Sequence, residues 1–204
     1  MVPLSVTQEY LLLALEKSKG KIAFHDEEEI FIAAGGIIEL VSGGYIVRAD
    51  KGKLVQGKAL EKDLPYLRPL CSNITTQQKS KDVGETIEGL VSSLLKELKH
   101  LLCHSLVEAG CAKEITKEGL FGKKKRYQVN LSAVDATIAK LRGEFLKDGP
   151  LSTSAASLVL MMEESNLLGR YFSKYETKRF KKRLKEARAS EVNELLEEAL
   201  EEYA

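Results

Sequence analysis

The amino-acid sequence predicts a mainly α fold: a compact, single-domain helical bundle carrying two β-hairpins. Three observations predict it. Apolar residues recur at helical spacing over most of the chain, while strict alternation is confined to two short stretches interrupted by turn residues. The 204 residues are 44% apolar, enough to bury one sizeable core, and no linker or repeat divides them.

Ser5 is placed to cap a first helix over Val6–Lys17, with Gly20 where such a helix stops. Lys21–Phe24 is short and strand-like. Glu29–Val41 is apolar at helical spacing, with Ile30, Ala33, Ile37, Ile38 and Leu40 facing inward. The acidic run Asp26–Glu29 suits the positive end of that helix's dipole, and Gly35–Gly36 inside the pattern implies close packing. Gly43–Gly44 marks a turn, and Tyr45–Ala49 and Lys53–Gln56 alternate around Asp50-Lys51-Gly52 as a hairpin. Residues 59–82 are the least periodic: Pro65 and Pro69 interrupt any long helix, and Ser72–Asp82 reads as an exposed connection. A long helix over Gly84–Ala109 follows. It puts Val91, Leu94, Leu95, Leu98, Leu101, Leu102 and Leu106 on one face, as the central helix of the core. Gly110 stops it, and Cys111–Asn130 reads as the second hairpin. Helices over Leu131–Leu146, Ser154–Asn166, Ser173–Ala189 and Ser190–Tyr203 complete the chain.

A net charge of +1 gives no global signal for nucleic acid, so any anion binding must come from local clusters. Three cysteines, Cys71, Cys103 and Cys111, are an odd number without framework spacing, which predicts reduced thiols and a cytoplasmic setting. The N-terminus has no basic segment before its apolar run, so no signal peptide is expected. The apolar runs Leu11–Leu15 and Ala155–Met162 fall far short of the roughly 20 residues that span a bilayer. There is no glycine-rich phosphate loop, no nucleophile elbow and no carboxylate pair with divided acid–base roles, so neither an enzyme nor a cofactor is expected. His100 and His104 flank Cys103, but the thiol points about 100° away from His104 on a helix, and no metal site is expected.

Two stretches carry chemistry. Ser92, Lys96, Lys99 and Cys103 share one border of the long helix's apolar stripe. The two lysines are spaced to grip a phosphate, or else to lay their stems over the core edge with their ammonium groups in water. In the hairpin, Lys123, Lys125 and Tyr127 share one strand face, opposite Lys124 and Arg126. Leu120 and Phe121, between Gly119 and Gly122, suit a lipid interface or a partner's groove; the alternatives are folding back on the domain or meeting another subunit. A third cluster, Tyr175–Ser190, is basic around the anchors Phe180, Leu184 and Ala187. It precedes the acidic segment Glu191–Ala204, and the two are expected to neutralise each other.

The opening LSVTQEYLLLALEKSKGKIAF, the segment GGIIELVSGGYI, the helix end HSLVEAGCAKEI with its hairpin to RYQVN, and KRFKKRLKEARAS occur in the order seen in the Golgi phosphoprotein 3 family. The chain resembles that family over nearly the whole of Leu4–Tyr203, and most resembles its prokaryotic members. The resemblance implies a Golgi phosphoprotein 3-like helical domain, lying peripherally on membranes. It also implies a phosphatidylinositol 4-phosphate headgroup site, formed in the family by a tryptophan, an arginine and a pair of arginines. Those positions correspond here to Phe24, to Ala33, and to Lys96 and Lys99. Alanine cannot hold a phosphate, and lysine replaces arginine's bidentate fork by a point charge. The family's membrane-contacting, self-associating hairpin corresponds to Ala112–Val129, and the family's coat-recruiting tail finds no counterpart.

The expected function is therefore peripheral binding of anionic phospholipid headgroups by Phe24, Lys96 and Lys99. Membrane contact falls to the hairpin, through Leu120, Phe121, Lys123, Lys124, Lys125 and Arg126. An anionic membrane surface is the expected partner. Self-association through the hairpin and an adaptor role toward client membrane proteins are further expectations. The alternatives are a winged-helix-like nucleic-acid binder, disfavoured because the long helix has glutamates and no arginine, and a protein–protein scaffold using the hairpin tip.

Overall fold

Ser5 opens helix α1 (Val6–Lys17) with a capping box: its hydroxyl accepts from the Gln8 amide, and the Gln8 side chain accepts from the Ser5 amide. The helix ends where Lys19 and Gly20 turn left-handed, at φ of 54° and 77°. The computed structural model describes residues 3–21, 26–49, 53–61, 64–76, 86, 89, 93–119 and 122–187. The expected strand at 21–24, the Asp50-Lys51-Gly52 turn, Ser92, the hairpin tip Leu120–Phe121 and the helix at 190–203 lie outside these residues, wholly or, for the strand, beyond Lys21.

Helix α2 (Asp26–Ser42) begins at the acidic run and is buried continuously from Ile30 to Ile38. Its glycines are there for packing. A Cβ on Gly35 would stand 2.8 Å from Thr7 Oγ1, and one on Gly36 would stand 2.6 Å from Leu70 Cδ2. The first hairpin pairs β1 (Ile46–Arg48) with β2 (Leu54–Gln56), Val47 opposite Val55. The weakly periodic region corrects the expectation of an irregular connection. A 3-10 turn at Pro65–Leu67 leads into helix α3 (Arg68–Thr76), so Ser72–Thr76 is helical. Both prolines sit in first turns, where the missing N–H has no intrahelical acceptor and costs nothing.

The expected long helix is interrupted. Residues 86, 89 and 93 are helical, but Leu94 is a turn, and helix α4 spans Leu95–Glu108. It is not the centre of the core, because Lys96, Glu97, His100, His104 and Glu108 are exposed. Gly110, at φ 70°, ends it as expected, and the Cys111 amide donates back to the Leu106 carbonyl at 2.8 Å. The second hairpin pairs β3 (Ala112–Gly119) with β4 (Gly122–Val129), closing on Gly119 opposite Gly122.

Asn130 caps helix α5 (Leu131–Phe145), and Ser152 caps helix α6 (Thr153–Glu164). Every residue from Ala155 to Met162 is buried, so α6, with α1, is the true centre of the bundle. A short helix α7 (Leu168–Tyr171), absent from the sequence expectations, turns the chain into α8 (Lys174–Ala187). Phe180 anchors α8 between Phe145 and Phe172, with ring centroids 4.6 Å away in each case. Buried apolar residues from α1 through α8 merge into one continuous core, and the architecture is mainly α.

Candidate functional site

The β3–β4 register sorts charge by face. Residues opposite one another on paired strands point the same way. Ala112, Glu114, Thr116 and Glu118 therefore share a face with Val129, Tyr127, Lys125 and Lys123. The base of that face is turned to the core: Ala112 and Tyr127 are buried, and burial pushes the Tyr127 phenol up to about 12, helped by the neighbouring Glu114 carboxylate. Its outer part is electrically mixed. Lys125 pairs with Glu114 at 2.8 Å and holds that carboxyl below its ordinary range, and the Tyr127 hydroxyl donates to the same carboxylate at 3.2 Å.

The opposite face carries Lys113, Ile115, Lys117 and Gly119 against Gln128, Arg126, Lys124 and Gly122. It holds four cations and no carboxylate. Lys113, Lys117 and Lys124 are exposed, while Ile115 and Arg126 are half-buried, Arg126 donating to the Lys19 carbonyl at 3.4 Å. The hairpin does not hang free at its base. The Tyr127 amide donates to the Gly20 carbonyl at 2.9 Å, so the end of α1 lies along the outer edge of β4. That approach requires glycine, since a Cβ on Gly20 would stand 2.2 Å from the Tyr127 carbonyl oxygen.

Lys123 and Lys125 thus face away from Lys124 and Arg126, as the alternation predicts. Lys113 and Lys117 are not among the expected site residues, because Glu114–Thr116 separates them on β3 whereas Lys123–Arg126 is a continuous basic run. Reading β3 at a period of two, against the Gly119–Gly122 turn, would have found them.

The expected headgroup residues are arranged less openly. Lys96 is exposed on α4. One turn on, Lys99 is committed to an ion pair with Glu29 of α2, the two side chains only 12% and 19% exposed. Neither residue's partner was visible in the sequence, 70 positions apart. Ala33 is fully buried and, with Leu95 and Leu98, lines a small apolar void between α2 and α4. Cys103 corrects the expected border: it lies in the core, not beside Lys96, and burial pushes its thiol up to about 12. His100 and His104 are exposed, so the buried thiol does not converge with them; all three cysteines are free. Phe24 and the tip residues Leu120 and Phe121 lie outside the described residues.

Among the described residues no helix is long and apolar enough to cross a membrane. A search of curated proteins finds no match. A family model described as Golgi phosphoprotein 3 (GPP34) matches residues 6–203. That match covers nearly the whole chain, the helical bundle and the hairpin included, and the chain belongs to the Golgi phosphoprotein 3 family.

Proposed function

We propose that this protein is a peripheral membrane protein, not an enzyme, that binds anionic phospholipid surfaces through its β3–β4 hairpin. The observation that carries the reading is the carboxylate-free face of Lys113, Lys117, Lys124 and Arg126. Each basic side chain held near an anionic membrane contributes about 1 kcal/mol. One face of a strand pair presents these charges together, which a helix of mixed charge cannot do. Leu120 and Phe121, next along the chain from this face, supply the apolar contact that complements it.

Lys96 is the headgroup contact at the family position, Phe24 stands at the family's aromatic position in the sequence, and Lys99 becomes available once Glu29 is displaced. The neutralised Lys99 and the buried Ala33 argue for general anionic attraction over tight phosphoinositide selectivity. Nucleic acid is a poorer fit, because the solvent face of α4 mixes Lys96 with Glu97 and Glu108 and offers no arginine. Hairpin-mediated self-association and an adaptor role remain parts of this proposal that follow from family membership.

Vesicle co-sedimentation tests the reading. The protein is expected to sediment with phosphatidylserine-containing vesicles, poorly with pure phosphatidylcholine, and less as salt shortens the screening length. Reversing that face with Lys117→Glu/Lys124→Glu should weaken binding by more than about tenfold. Lys123→Glu/Lys125→Glu makes the same net-charge change on the mixed face and should weaken it less. Equal binding to neutral and anionic vesicles, or equal loss in the two double variants, would sink the proposal.

A further inference from the structure

A second basic surface lies where α8 meets the connection between α5 and α6. Arg183 builds its floor. The guanidinium donates to the carbonyls of Glu144, Lys147 and Gly149, satisfying acceptors that the end of α5 leaves open and fastening the connection to α8. Gly149 turns there at φ 136°, a conformation other residues rarely adopt, and nothing lies within 4 Å of where its Cβ would be. The result is a cleft of about 950 Å³, within the range of small-ligand sites.

One stripe of α8 forms its wall: Tyr175, Lys178 with Arg179, then Lys182 with Arg183, each step one helical turn. Lys178 and Lys182 stand about 6 Å apart along the axis, so their ammonium groups can converge on a single phosphate or on two adjoining ones. Lys178 is exposed and has no ion-pair partner among the described residues. The two carboxylates at the rim do little to cancel the charge. Asp148, fully exposed, meets only one nitrogen of Arg179 at 3.3 Å, and Glu186 reaches Lys182 only at 3.9 Å across two solvated side chains. At the end of the stripe stands Tyr175, 72% exposed, the one exposed tyrosine or phenylalanine among the described residues. Among the described residues, four cations against two weakly held carboxylates, beside a bare ring, suit a ligand rich in acceptors that also carries a ring.

We infer that this cleft is a binding site for a phosphorylated ligand, with Lys178, Arg179 and Lys182 holding the phosphate or diphosphate and Tyr175 packing against the attached ring. The ring is a base or sugar if the source is a soluble nucleotide, and an inositol if the source is a lipid headgroup; the phosphate chemistry is common to both. The site is separate from the hairpin, so either can fail without the other.

Calorimetric titration of the full chain with ADP and with pyrophosphate, alongside flotation with phosphoinositide vesicles, tests it. Either soluble ligand is expected to bind at micromolar to millimolar concentration, and Lys178→Glu/Lys182→Glu to weaken it at least about tenfold. Lys174→Glu/Lys185→Glu places the same charges on exposed positions of the same helix outside the cleft, and should change binding little. Tyr175→Ser should bring ADP down to the affinity of pyrophosphate. Binding confined to the vesicles, still lost with Lys178→Glu/Lys182→Glu and kept in the hairpin variant, identifies a headgroup as the phosphate source and supports the site. No binding in any arm, or equal loss in the two α8 double variants, overturns it. All four lysines are exposed, so circular dichroism should report an unchanged fold in both.

Discussion

At the scale of single residues, buried charge decides which positions tolerate change. Glu9 sits within α1 at 4% exposure, and Lys140 of α5 reaches it at 2.8 and 3.0 Å. Burial raises the Glu9 carboxyl above its ordinary range, and the lysine opposes that shift without cancelling it. Lys140→Met would strand the carboxylate and is expected to cost on the order of 2–3 kcal/mol near neutral pH. The raised group binds its proton more tightly when folded, so the deficit should shrink as pH falls and Glu9 becomes neutral. Urea denaturation at two pH values reads this directly; a deficit independent of pH would contradict it. Single residues also mark where sequence reading stopped. The amphipathic border containing Lys99 was legible from spacing, but its partner Glu29 was not, since only tertiary packing joins them. Cys103 failed for a related reason: helical phase places a residue to within a side chain, and at the edge of a stripe that margin separates surface from core.

Among the elements, the best-read were those with local stop and start chemistry. Helix α1 matches its expected bounds, because Ser5 and Gly20 fix both ends. Helix α3 is hidden in the sequence because Pro65 and Pro69 look like breakers, whereas each occupies a first turn. Interruption of the long helix at Leu94 has no local signal, as Leu94 continues the apolar stripe and offers no side-chain cap. The joint between α1 and the second hairpin rests on one glycine. Gly20→Ala adds a Cβ against backbone and asks for a left-handed alanine, so about 2–3 kcal/mol of destabilisation is expected. Hydrogen exchange at the Tyr127 amide, which donates to Gly20, should quicken more than at amides in α6. Uniform acceleration would mean that the joint is not a local one.

Over the whole molecule, carboxylates act as latches between helices. Glu16 of α1 accepts from Arg170 at 2.9 and 3.1 Å and from Tyr171 at 2.8 Å, fastening α7. Glu176 of α8 accepts from Arg142 of α5 at 2.7 Å and from the Ser173 amide at 2.8 Å. The hydrogen bond from Arg170 holds the Glu16 carboxyl below its ordinary 4.5, and that from Arg142 brings Glu176 down to about 2. Both are depressed on folding, so their contribution is complete above about pH 4.5 and is lost as pH falls toward about 2. Melting temperature should therefore decline over that window, and decline less steeply in Glu16→Gln/Glu176→Gln, which starts lower; parallel curves would refute the latch. The general architecture was legible because helical periodicity survives without knowledge of neighbours. The centre of the bundle was harder to place: α6 is apolar on every side and has little helical asymmetry, whereas α4 has a bold stripe yet lies at the edge.

The charge sorting of the hairpin is a matter of parity. Odd-numbered residues of β3 and even-numbered residues of β4 make the cationic face, and the two sets meet because Gly119 pairs with Gly122 at one end while Ala112 and Tyr127 are both turned inward at the other. A slip of one residue would bring Lys113 and Lys117 beside Lys123 and Lys125, and would have to turn either Ala112 or Tyr127 out to water. Composition and net charge would be untouched, yet the cationic face would be dismantled. The electrostatic identity of this surface is thus stored in the length of a turn, which makes a one-residue insertion there more damaging than the loss of any single lysine.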